Sequence, residues 1–542
     1  MHDIEQNSTQ DDTAVEITGL SPQKEDTSTP EQKGATITEK QKLPRAWRYT
    51  IIGGSVLLVF AVIIAGLLTL ANQKANPSPR IVPTPTIGAS TIPTTVAREA
   101  TLPTPATTPI PAPVLTGYNV NVTVANGVAY LSTYNNFVYA LRMSNGSLLW
   151  SHKIDGSADQ PPLVANGIAY VVSFIGQNGP AHIYALSTSD GSLLWQYDNT
   201  NYSYLSLSPT NSNVVYIASQ DGLSALQSSN GALLWHYDMK GNVSFELPLE
   251  VNGVVYYSSS LDSGSNTLYA LRASNGTLIW QYTTSDYTPA PTVANGVVYI
   301  NSNGGTLAAL RASDGHQLWK RTLDTNMIQS SQLVNGVLYF TTTKILLPSA
   351  ARNASPLQGA TAIGALLWNT FQNVHAAQTL PYKQGLSAVY AIRASDGTIL
   401  WHYTFNNGKN SWASWLTVEN GIVYASAANA EGTTSAGDMY ALQSSNGSVL
   451  WHDTLPATPS GALLANGVIY LSTSDNSDNG AVYAVRAHDG SPIWSYPVAG
   501  AIFAAPVLEG NTIYVGATNG MAYALRANNG RIVWHYLIQV GG

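Results

Sequence analysis

The sequence predicts an all-β chain, a single β-propeller of four-stranded antiparallel blades preceded by one transmembrane helix. Three observations predict it. A unit typified by Val389–Trp401, VYAIRASDGTILW, recurs nine times, ending at Trp150, Trp195, Trp235, Trp280, Trp319, Trp401, Trp451, Trp494 and Trp534. Successive tryptophans lie 39 to 50 residues apart except for one gap of 82, and a period of about 40–45 residues marks propeller blades or solenoid arrays. A second shared element, such as PTVANGVVYI at 291–300, precedes each unit.

The chain starts differently. Residues 1–48 are polar, carry no apolar periodicity, and are expected to be a disordered cytoplasmic tail. Ile51–Ala71 is then 21 residues without a charge. At 1.5 Å per residue, that length spans a hydrocarbon core of about 30 Å. A secretory h-region is shorter and sits nearer the start, so 49–71 is expected to be a retained anchor. Lys40, Lys42, Arg45 and Arg48 precede it, against Lys74 and Arg80 after it. The positive-inside rule then leaves the tail in the cytoplasm and everything after Ala71 outside. Residues 72–116 are rich in Pro and Thr and are expected to form an extended, semi-rigid stalk.

From 117 to 542 each repeat reads as four strands, A to D. Seven repeats place Asn-Gly between A and B (Asn126, Asn166, Asn252, Asn295, Asn335, Asn420, Asn466). Asn-Gly is the strongest short hairpin signal, because a type I′ turn needs positive φ at both central residues. The third and ninth repeats deviate, with Asn211-Ser212-Asn213 and Glu509-Gly510-Asn511. All nine repeats keep Asn-Gly or Asp-Gly between C and D. A flat indole ending each unit suits packing against the neighbouring blade. Nine complete units favour nine blades; eight, with one unit packed irregularly, is the alternative. The gap of 82 comes from an insertion at 344–386 in the B–C connection of the sixth unit. A loop of that length in a compact domain is usually functional or disordered.

Tyr390-Ala391-Ile392, Gly397 and Trp401, with Ala and Trp ten residues apart, resemble the tryptophan-docking motif of the quinoprotein-type (PQQ-like repeat) propellers. That family includes quinone-dependent dehydrogenases and the propeller lipoprotein of the outer-membrane barrel-assembly machinery, and its members are usually eight-bladed. The resemblance covers about 117–542. It departs in detail: six repeats have Arg where the family usually has Asp (Arg142, Arg272, Arg311, Arg393, Arg486, Arg526).

Function is less constrained. Only 10% of residues are charged and the net charge is −7, which leaves no basic footprint for nucleic acid. There is no cysteine, hence no disulfide and no thiolate metal site. The A–B and C–D turns share one face of a propeller. The B–C loops and D-to-A connections share the other, and variable loops on a rigid scaffold are where binding residues concentrate. Ligand-binding candidates on that second face are Tyr204, Glu246, Asp286, Tyr287, Trp412, Trp415 and Phe503, with Tyr202, Phe245 and the insertion beside them.

The resemblance would imply a quinone with a Ca²⁺ ion held by Glu and Asn. The repeat domain has five glutamates, Glu246, Glu250, Glu419, Glu431 and Glu509, and Glu419 and Glu509 fall at the turn face. His236, His402, His452 and His535 each follow a repeat tryptophan and read as outer-strand residues rather than metal ligands. No catalytic residue, cofactor or metal is therefore assigned. The expected function is a membrane-anchored extracytoplasmic module that binds a protein, peptide or glycan. The alternative is a PQQ- and Ca²⁺-dependent dehydrogenase of sugars or alcohols.

Overall fold

The computed structural model describes residues 98–102 and 119–538, apart from 159, 177–179, 200–205, 210–212, 220–221, 240–241, 244–246, 261–265, 285–290, 303, 326, 346–384, 406–410, 430–435 and 476. The expected tail, the anchor at 51–71 and the centre of the 344–386 insertion lie outside the described residues. Among the described residues no helix is long and apolar enough to cross a membrane.

The chain folds into nine antiparallel blades at 120–153, 163–199, 206–238, 242–284, 292–322, 327–404, 411–455, 458–499 and 507–537. The repeat strands of each blade come from one contiguous stretch, so nine units make nine blades; blade 4 has its first strand in two pieces and blade 7 carries one added strand. Blade 1 shows the pattern: A is Val120–Ala125, B Val128–Thr133, C Phe137–Arg142 and D Leu148–Lys153, hydrogen-bonded in that order. Strands B and C are buried almost throughout, whereas D alternates. B and C therefore read as continuous apolar runs, since both faces of a central strand meet neighbouring blades.

The A–B turns follow from their sequence. Asn126 and its six counterparts sit at φ 50 to 53°, and the glycine after each at 71 to 78°, the double left-handed geometry of a type I′ turn. Blade 9 leads with Gly510 at φ 61° and puts Asn511 second, the order in which a type II′ turn uses its glycine.

The C–D turns are the joints between blades. The Asn or Asp before each turn glycine accepts the backbone N–H two residues on, at 2.8 to 3.1 Å in all nine blades. This Asx bond fixes the turn locally. A bulge follows in every blade, between the Ala and the next residue of strand C, opposite the residue before the tryptophan. The extra residue re-aims the strand, as bulges do. In blade 1 Leu148 and Leu149 are exposed while Trp150 turns inward.

At eight of the nine joints the indole is seen lying on the turn glycine of the next blade. A methyl group on Gly146 would sit 2.8 Å from the Trp534 ring, and one on Gly447 2.5 Å from Trp401. These glycines also hold φ near 70°, so two independent constraints exclude a side chain. Every indole N–H donates to a carbonyl just past strand C of the following blade, from Trp150 to Thr188 O (3.1 Å) through Trp494 to Ala527 O (2.8 Å). The ninth bond closes the ring: Trp534 Nε1 donates to Met143 O of blade 1 at 2.7 Å. Blades 9 and 1 share one core cluster with Val120, Tyr139, Tyr514 and Trp534. Among the described residues no strand from the C-terminal end joins blade 1, and side-chain docking carries the closure.

Two features differ from the sequence-based boundaries. Arg98–Thr101, inside the expected stalk, is a strand paired to blade 7. The window 94–102 has no proline to remove backbone donors, unlike the segments beside it. In blade 6 the B–C ladder runs one pair past Lys344 and Leu386, to Ile345 and Gly385.

Candidate functional site

The D-to-A connections do not repeat in sequence, yet buried hydroxyls of strands B and C pin them. Ser173 Oγ donates to Asp155 O at 2.7 Å, and the Tyr184 hydroxyl accepts the Asp155 N–H at 3.0 Å. Ser387 Oγ donates to Ser411 O at 2.6 Å where blade 7 begins. These serines sit where strands B and C reach the connector face, and they satisfy backbone groups that no ladder reaches.

Among the described connections, the one from blade 8 to blade 9 is held most completely. Ser474 Oγ donates to Ile502 O (2.8 Å) and accepts the Ile502 N–H (3.0 Å). Thr518 Oγ1 accepts from Ala501 N–H, the Thr518 N–H returns to Ala501 O, and Ser472 Oγ donates to Ala504 O. Ala501 and Ile502 are buried. Between them and Ala504 stands Phe503, 51% exposed. An aromatic ring on a fixed backbone binds without a large ordering cost, which is how anchors at interfaces work.

Of the other candidates, Trp412 lies half-buried near the start of strand A of blade 7, Ser411–Glu419, opposite Ala428. Trp415 follows a bulge at Ser414 and packs half-buried against the core between blades 7 and 8; its ring has a structural contact. Tyr204, Glu246, Asp286 and Tyr287 lie outside the described residues, as does most of the insertion.

A quinone with its calcium ion needs converging carboxylate and amide donors. Glu250 Oε2 accepts the Tyr216 hydroxyl at 3.0 Å, and Glu509 Oε1 the Gly127 N–H at 3.4 Å, both near the A–B turns. Burial, with the Glu250 charge behind it, pushes the Tyr216 hydroxyl well above its ordinary range. Among the described residues no three His, Asp or Glu side chains converge. The described glutamates do not form the donor set.

One set of side chains escaped the motif reading. Strand B of every blade carries a tyrosine that packs on its own blade's tryptophan, from Tyr130–Trp150 (5.9 Å between centroids) to Tyr514–Trp534 (5.8 Å). The signal was present, as Tyr three to four residues after each A–B turn. Burial raises these hydroxyls above their ordinary pKa.

Comparison with known proteins gives three findings. A family model described as outer membrane protein assembly factor BamB matches residues 106–242, 219–379 and 437–540. Among solved structures, BamB from Moraxella catarrhalis is 16% identical, with a TM-score of 0.44 over 67% of this chain and 95% of that one. The quinohemoprotein alcohol dehydrogenase of Comamonas testosteroni is 13% identical, with a TM-score of 0.43 over 72% and 76%. The computationally designed Ika8 protein is 11% identical, with a TM-score of 0.43 over 75% and 96%. No curated protein matches the chain.

Proposed function

This chain belongs to the PQQ-like repeat β-propeller family whose model carries the BamB description, and from that membership we propose that it is a binding scaffold for a protein or peptide partner. The partner binds on the connector face. The observation that carries this reading is Phe503, a half-exposed aromatic ring on a backbone held by hydroxyls of two blades. Half-buried Trp412 belongs to the same class of connector-face aromatic group, and such rings are enriched among the anchors of protein interfaces. The family description, an assembly factor, fits a protein partner better than a small-molecule substrate. The uncharged apolar stretch at 51–71 and its basic flank support tethering at the cell membrane with the propeller outside.

The experiment is partner capture from native membranes by the full chain, side by side with Phe503→Ser, Trp412→Ala and a chain lacking 346–384. Loss of the same captured protein in Phe503→Ser, with thermal stability unchanged, supports the reading. Undiminished capture by all three variants rejects it. The dehydrogenase alternative is settled separately by adding the quinone and Ca²⁺ and following dye reduction on sugars and alcohols.

A further inference from the structure

Among the described residues one strand stands outside the nine-blade repeat. Arg98–Thr101 adds to the outer edge of blade 7, parallel to Val449–Leu455, with Arg98 opposite Trp451 and Thr101 opposite Thr454. The strand pairs within the blades are antiparallel. Leu102 N–H donates to Thr454 O at 2.9 Å. Its side chain is 1% exposed and joins the core between blades 7 and 8, with Trp451, Leu455 and Tyr483.

Blade 7 is shaped to receive that side chain. The second residue after the repeat tryptophan is aromatic in seven blades: His152, Tyr197, Tyr237, Tyr282, Tyr403, Tyr496 and Tyr536. In five of these its ring meets a strand C tyrosine of the next blade, as in His152–Tyr184 and Tyr237–Tyr269, with centroids 5.6 to 6.4 Å apart. Blade 7 has Asp453 at this position, a shorter side chain, and it is fully buried. Leu102 packs in the same cluster as Tyr483, the strand C tyrosine of blade 8 that such a ring would meet. With the edge covered, Trp451 is 1% exposed, against 6 to 8% for Trp150, Trp280 and Trp401.

We propose that the outer edge of blade 7 and the cleft beneath it form a strand-accepting site for an extended peptide, held shut in cis by residues 98–102. The partner is a proline-free stretch of about five residues ending in an aliphatic side chain. Main-chain bonds to the edge give affinity and the cleft reads the last residue, the logic of β-augmentation. The seated segment supplies the recognition pattern, because it is the sequence that fits. It is also an exchangeable occupant: four backbone residue pairs and the buried Leu102 side chain are seen to hold it, between Pro93 and Pro103. This site lies on the rim and is independent of the connector face.

The test uses the full chain and a fluorescent peptide of residues 94–102, TTVAREATL, read by anisotropy. A cis strand competes at an effective concentration of roughly millimolar, so the unmodified chain takes up little peptide. Leu102→Asp frees the edge and is expected to bind at least about tenfold more tightly on the same reasoning, while a peptide with Asp in the last position does not bind. Adding Asp453→Tyr, which supplies the ring found in seven blades, abolishes uptake. Asp453→Tyr alone expels the cis strand and opens Arg98 to trypsin. Intrinsic tryptophan fluorescence checks that the ring is intact in each variant. Three results would overturn the proposal: no uptake by intact Leu102→Asp, uptake that ignores Asp453→Tyr, or equal uptake by the unmodified chain.

Discussion

The two faces of this propeller are built by opposite rules. On the turn face the same chemistry recurs: Asn-Gly between A and B in seven blades, an Asx bond between C and D in all nine, and a turn glycine under the preceding blade's indole. On the connector face almost nothing repeats, and stability comes from individually placed hydroxyls such as Ser173, Ser387 and Ser474. The repeated face determines that the ring forms. The variable face is free to differ from its neighbours, because the joints that hold the blades together lie elsewhere. This separation lets a repeat scaffold carry a specific surface.

The contrast can be broken most severely at a joint. Trp534→Ala removes the indole, its bond to Met143 O and the closing contact with blade 1. Loss of a large buried aromatic costs about 3–5 kcal/mol, so a drop of that size in chemical denaturation is expected. Because the ring then has a free seam, hydrogen exchange is expected to rise first in blades 1 and 9.

Next comes the glycine beneath an indole. Gly276→Ala puts a methyl 2.5 Å from Trp235 and holds Ala at φ 69°. The left-handed backbone alone costs about 1–2 kcal/mol for a residue with Cβ, and the clash adds to it. By contrast Gly296→Ala, at φ 75° with nothing within 4 Å, should lose only that backbone part, about 1–2 kcal/mol. Equal losses at the two sites would remove docking from the role of these glycines.

Acid provides a smaller and graded probe. Blades 2, 5, 6 and 8 have Asp at the C–D turn (Asp190, Asp314, Asp396, Asp489), where the other five have Asn. The Thr398 hydroxyl and N–H, then Arg393, hold the Asp396 carboxyl down to about 2 from its ordinary 3.8. Asp190, Asp314 and Asp489 are lowered by the same kind of bonds. A carboxylate lowered by folding contributes stability that is complete above its unfolded pKa and disappears as pH falls through the folded value. The ring should therefore weaken as pH falls from about 4 towards 2. Replacing all four Asp by Asn is expected to flatten that part of a urea-midpoint curve.

The smallest stability effect belongs to the connector face. Phe503→Ser alters an exposed side chain and should shift stability by no more than about 0.5 kcal/mol. It is nevertheless the change expected to abolish partner capture.

The repeat chemistry was legible in the chain because its causes are local. Asn-Gly needs only its own backbone, and an indole ten residues after an alanine recurs often enough to read. The nine strand B tyrosines were equally visible, but their partner is their own blade's tryptophan, and nothing in the spacing names it. The strand at 98–101 was not legible. Its ladder and the cleft for Leu102 lie some 350 residues away, and in sequence it is four residues in a proline-rich stretch. Asp453 was a visible exception to a tyrosine pattern, although its meaning depends on what fills the space. Phe503 gained its significance from Ser474 and Thr518, which only folding brings beside it.

The most direct measurement places a photo-crosslinking phenylalanine analogue at Phe503 in one full-length chain and at Asn295, on a turn of the opposite face, in another. Both are irradiated in native membranes. Adducts to the same protein from position 503, and none from 295, are the expected result. Adducts from 295 alone, or equally from both positions, would contradict a partner surface confined to the connector face.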